Sequence, residues 1–163
     1  MKRCILGVGL VMMLIGCDKQ VVSNNGKVLT NNRWNTVGER IVDEVELPAL
    51  MILSEEEIKD ELGVDPDYLE SFLVLMPMMR VHATEILVFQ VKEDMMETVK
   101  TKVDDYLNHY EEYWSSYLPE QHVLVRNRLE KTLGNTLIII VSENRDLIEI
   151  IINQALFIPI SVY

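Results

Sequence analysis

Cysteine is nearly missing from this chain: of 163 residues only Cys4 and Cys17 carry a thiol, both within the first seventeen positions. The rest of the chain therefore cannot cross-link to itself, and offers no Cys nucleophile or thiolate cluster. Basic residues are scarce too, 15 Lys and Arg against 26 Asp and Glu for a formal net charge of −11. No basic run is dense enough to neutralise a row of phosphates, so the balance argues against nucleic acid as a partner. Alanine does not occur before Ala49, which removes the A-x-A-like pattern of ordinary signal cleavage. Neither a Gly-x-Ser-x-Gly nucleophile turn nor a Gly-rich phosphate loop is present. With none of these constellations the chain reads as non-enzymatic, and it implies no cofactor.

What is present begins at the N-terminus. Lys2 and Arg3 form a positive start, and Cys4 to Ile15 an apolar run of twelve residues. As a helix that run covers roughly 18 Å, well short of a hydrocarbon core of about 30 Å, so it is a leader and not a span. It ends in Leu14-Ile15-Gly16-Cys17, which resembles the lipobox of bacterial lipoprotein precursors. That resemblance implies cleavage after residue 16 and a diacylglyceryl group on the Cys17 thiol. The expected partner is therefore a membrane, reached through the lipid anchor on the extracytoplasmic face of the cell membrane. Two acyl chains of palmitate length, at ~0.8 kcal/mol per buried CH₂, would hold with an upper bound above ~20 kcal/mol. Losing Lys2 and Arg3 with the leader leaves 13 basic and 26 acidic side chains, a net of −13. That charge keeps the mature body off an anionic surface.

Three segments follow: a signal peptide at 1–16, the lipidated Cys and a flexible Asn-rich tether at 17–46, and one domain at 47–158. A chain of this size with 48% hydrophobic residues can build one core, so a fragment starting near Leu47 is expected to fold alone. Within the tether, Trp34 and Ile41-Val42 stand out as apolar exceptions that could dock on the domain. Ser54 with Glu57 is a capping box and Gly63 a stop, bracketing a short helix. Phe72–Met79 and Glu85–Val91 read as a β-hairpin, with Pro77 at an edge or bulge. Asp94 with Glu97 gives a second capping box. It opens a helix of about 25 residues whose stripe is Met96, Val99, Val103, Tyr106, Tyr110, Tyr113 and Tyr117, beside Leu107 and Trp114, and which ends at Pro119. A second hairpin turns at Gly134-Asn135, and Asn144 caps a last helix through Phe157. The order helix, hairpin, long helix, hairpin, helix predicts an α+β fold: a two-layer sandwich, its antiparallel sheet made of the two hairpins and its helices on one face.

Several short motifs recur in order: L-P-A-L-M at Leu47–Met51, M-P-M-M at Met76–Met79, V-K at Val91-Lys92, Y-L-P-E-Q at Tyr117–Gln121 and G-N at Gly134-Asn135. With the lipobox and the Asn-rich segment before them, they resemble the bacterial lipoprotein family called domain of unknown function 4358, over about residues 47 to 157. The resemblance implies location and domain extent, and no activity.

Side chains with chemical potential each have a plainer role. Asp105, His109 and Glu112 share a helix face, which a metal would need extended by a further ligand; a solvated polar face explains the spacing, so no metal site is assigned. Met76, Met78 and Met79 are soft thioethers that core packing accounts for better than Cu(I) does. His82 and His122 have no partner legible in the chain. Five of the eight Tyr and Trp residues, Tyr106, Tyr110, Tyr113, Trp114 and Tyr117, lie along the long helix. They form either a seam against the sheet or a groove for a partner. The expectation is a binding or interaction module with an envelope protein partner, the alternative being a small-ligand or solute-binding lipoprotein.

Overall fold

The structure, a computed structural model, describes residues 32–157. The leader, Cys17 and the tether as far as Asn31 lie outside the described residues, as do residues 158–163.

The chain enters through α1 (Asn32–Glu44) and a three-residue strand, β1 (Leu50–Ile52). It continues through α2 (Glu55–Leu62) and a single 3₁₀ turn at Pro66–Tyr68 into β2 (Leu69–Pro77) and β3 (Glu85–Val91). Two helices follow, α3 (Met96–Tyr117) and α4 (Pro119–Arg126), then β4 (Leu129–Leu133), β5 (Thr136–Val141) and α5 (Arg145–Phe157). The strands form one antiparallel sheet in the order β1-β2-β3-β5-β4. The α+β class and both hairpins thus stand as read.

Local signals explain several of these elements. Ser54 and Glu57 form the reciprocal capping box of α2, and Gly63, at φ 66°, ends that helix in the left-handed region. Gly134, at φ 58°, supplies the left-handed residue of the β4–β5 turn. Pro77 closes β2 beyond its last pairing with β3 at Leu75, so no ladder bond is lost there.

The helices cover both faces of the sheet, which extends the expected arrangement of helices on one side. Leu87, Phe89, Leu137, Ile139 and Val141 pack with Ile58, Val99, Val103, Leu107 and Trp114 under α2, α3 and α4. On the opposite face Leu73, Leu75, Ile86, Val88, Ile138 and Ile140 pack with α1 and α5. Fully burying each such side chain contributes about 1.5–3 kcal/mol, so two clusters of this kind carry the fold without a cross-link.

Three expectations are corrected. Residues 32–44 are helix and not tether: Trp34, Val37, Ile41 and Val45 recur at helical spacing and are buried, and the Trp34 indole donates to Ser71 Oγ at 2.9 Å. Asp94 does not cap α3; it sits at φ 65°, and Met95 occupies the N-cap without a side-chain hydrogen bond. Nor does the Asn144 side chain cap α5. Its carbonyl accepts from Leu147 and Ile148, while its Nδ2 donates to the Glu46 carbonyl at 3.0 Å, tying the start of α5 to the loop before β1. Pro119 ends α3 as expected, but it also opens α4 at N1, where a missing N–H costs nothing.

Candidate functional site

The site grows from the first residue of β3. A strand buried on both faces leaves no polar side for a charged residue, and Glu85 is 2% exposed, its side chain directed toward α3 with Leu87 and Phe89 following on the same face. One donor meets it: the Tyr106 hydroxyl lies 2.8 and 2.9 Å from its two oxygens. Tyr110, one turn further along α3, stacks on Tyr106 with ring centroids 5.5 Å apart. The Tyr110 hydroxyl, which also acts on Glu85, and the Trp114 indole nitrogen are buried, and neither makes a hydrogen bond of normal geometry among the described residues.

Burial pushes the Glu85 carboxyl up to about 7, outweighing the Tyr106 and Tyr110 hydroxyls and the Arg80 guanidinium, which favour its charged form. Arg80 cannot compensate fully, because it is exposed and turned to Glu61 at 3.5 Å. Burial, joined by the Glu85 charge, drives both tyrosine hydroxyls far above the usual phenol range, so they stay protonated.

The aromatic face of α3 divides. Trp114 is core, together with Val99, Val103 and Leu107, and Tyr106 and Tyr110 are half-buried against that core. Tyr113 and Tyr117 are exposed, and their rings contact Trp114 at centroid distances of 5.2 and 5.9 Å. The seam is therefore present over the first part of the face, and the rest of it, Tyr113 and Tyr117, is open to solvent. The methionines divide in the same way: Met76 packs in the core, whereas Met78 and Met79 are 64% and 62% exposed on the β2–β3 loop. That loop is fixed to the start of α4 by the Ala83 amide, which donates to Gln121 Oε1 at 2.7 Å. Val81 on the loop and Val123 on α4 are exposed as well. The Ala83–Gln121 bond thus sets the exposed apolar side chains of the β2–β3 loop on a segment that adjoins the α3–α4 corner.

Of the other candidates, His82 lies on the β2–β3 loop and His122 on α4 between Gln121 and Val123. The His109 ring Nδ1 is 2.7 Å from the Asp105 carbonyl oxygen of its own helix. His122 lies 3.8 Å from Glu111, which also pairs with Arg128 at 3.0 Å. Among the described residues no group of three or more His, Cys, Asp or Glu could hold a metal ion. A notch of about 160 Å³ opens between α1, α2 and the β2 edge beside Asn35, Glu70 and Phe72. His82 lines a wider, open groove with Glu46 and Glu143. Cys17, the lipidation candidate, lies outside the described residues. Glu85 escaped sequence reasoning, although a carboxylate opening a run as apolar as EILVFQV was its available signal.

No curated protein and no solved structure matches the chain. The family model described as a domain of unknown function, DUF4358, matches residues 43–142, so it covers β1 to β5, Glu85 and the whole aromatic helix. On that match, which spans more than half of its length, the chain belongs to the DUF4358 family.

Proposed function

We propose that this protein is a lipid-anchored, non-catalytic module of the cell envelope that docks on a protein partner through the β2–β3 loop and the α3–α4 corner. The observation that carries the reading is the group of exposed apolar side chains there, Met78, Met79, Val81, Tyr113, Tyr117 and Val123. Exposed apolar side chains on two adjoining segments of an acidic chain favour a protein contact. The anchor rests on the leader and on Leu14-Ile15-Gly16-Cys17. It is consistent that no helix among the described residues is long and apolar enough to cross a membrane.

Two experiments test the two halves of the proposal. Cys17→Ala should leave an uncleaved precursor that takes up no labelled fatty acid, and normal labelling of that variant ends the lipoprotein reading. A photo-crosslinking residue placed at Met79 or Tyr117 of the full-length protein in cells should trap a discrete adduct, whereas one at exposed Lys102 on α3 should not. Equal labelling at all three positions sinks the docking surface. The small-ligand alternative draws on two places: the notch beside Asn35 and Phe72, whose volume of about 160 Å³ is below the ~300 Å³ at which pockets for drug-sized ligands begin, and the open groove of about 410 Å³ beside His82, where only Leu47 and Pro48 are apolar among the lining residues.

A further inference from the structure

A buried carboxyl that links two elements through one hydrogen bond is a natural point of control. Glu85 opens the central strand β3, and Tyr106 stands midway along α3; their contact joins the sheet to the helix that carries the aromatic face. We infer that Glu85 and Tyr106 form a protonation-gated latch, closed when the carboxyl is neutral and loosened when it ionises, that governs how tightly the aromatic half of α3 sits on the sheet.

The geometry supplies the reason. An ionised carboxylate in an apolar interior is costly unless a cation and several donors meet it. The groups acting on Glu85 are few. Tyr106 and Tyr110 come from α3, Arg80 from the β2–β3 loop and Glu61 from α2, while the opposing strand β5 offers only the apolar Val141. Arg80 is 82% exposed in its side chain and engaged with Glu61, whose own charge adds repulsion. Ionisation, with the proton passing to solvent, therefore leaves an anion faced only by the Tyr106 hydroxyl at hydrogen-bond distance and the Tyr110 hydroxyl beside it, with no cation of its own. The cheapest relief is to admit water by parting α3 from the start of β3, and that gives the buried Tyr110 hydroxyl and Trp114 indole nitrogen well-formed partners at the same time. With the carboxyl titrating at about 7 in the closed form, the transition spans the mildly acidic range up to neutrality.

That the latch gates partner docking rests on the surface reading above; that it opens does not. The test therefore uses the free full-length protein in detergent, by amide hydrogen exchange between pH 5 and 8.5 after correction for the intrinsic rate. The opening constant of α3 amides from Tyr106 to Tyr117 should rise about tenfold per pH unit up to about 7 and then level off, while α5 amides hold steady. Glu85→Gln should abolish the rise. A flat wild-type profile, or α3 and α5 loosening in parallel, would overturn the latch. If Glu85→Gln does not fold, the infrared band of a protonated carboxyl in the wild-type protein decides: it should titrate near pH 7, and a Glu85 already ionised at pH 5 refutes the inference. Failure of the crosslinks with these profiles intact would remove the docking surface and leave the latch standing.

Discussion

A carboxyl moved from about 4.5 to about 7 by folding makes stability depend on pH in a definite sense. Between these values the folded chain keeps the Glu85 proton and the unfolded chain releases it, so stability falls as pH rises through that window and is flat above it. At ~1.4 kcal/mol per unit the loss is about 3 kcal/mol at pH 8. Glu85→Gln should therefore match the wild type near pH 4 and exceed it at pH 8 in urea unfolding, and equal midpoints at pH 8 would contradict the assignment. On α3 itself, Val103 is 1% exposed and Lys102 is exposed. Truncating Val103 to Ala should cost about 1–3 kcal/mol and Lys102→Ala no more than about 0.5, as thermal unfolding of the two variants would show. Neighbours in sequence are read correctly here because helical spacing separates their environments. Glu85 was not legible in the same way, because a strand has no polar side to warn of a buried acid once helices cover both faces.

Helical spacing was also present in the first helix, at Trp34, Val37, Ile41 and Val45, but the Asn-rich composition around it reads as tether. The helix moves the start of the folded unit upstream of the boundary expected at Leu47. A fragment starting there leaves Leu73, Leu75, Ile86 and Val88 short of their cover from α1. It should lose several kcal/mol or precipitate, whereas one starting at Asn32 should unfold cooperatively; circular dichroism melts of both fragments make the comparison. The strands carried a second signal. Runs such as TLIIIV in β5 do not alternate, and a sheet with one wet face would require alternation. Continuous apolar strands call for helices on both sides, and the unrecognised α1 is what completes the second layer. Elements with strong local chemistry were legible: the Ser54 capping box, the Gly63 stop and the Gly134 turn each act within a few residues. The Asp94 box failed because its backbone adopts a left-handed conformation that places Met95 at the helix start.

At the scale of the whole molecule, residues 32–157 contain no cysteine, so their stability comes from two apolar clusters on either face of one sheet. The unfolding midpoint of that fragment should be the same with and without reductant, and a shift measured by calorimetry would reveal a source of stability that the two cores do not supply. The order of the strands then bears on how the chain reaches this state. Hairpins β2–β3 and β4–β5 each close over a short loop, but β5 must pair with β3 across the whole of α3 and α4, from Gln90 with Thr136 to Glu85 with Val141. Closing that long segment costs entropy before any contact repays it. Loop-closure cost thus predicts that the centre of the sheet is its last seam to be joined, and that folding is slowest where the two hairpins meet.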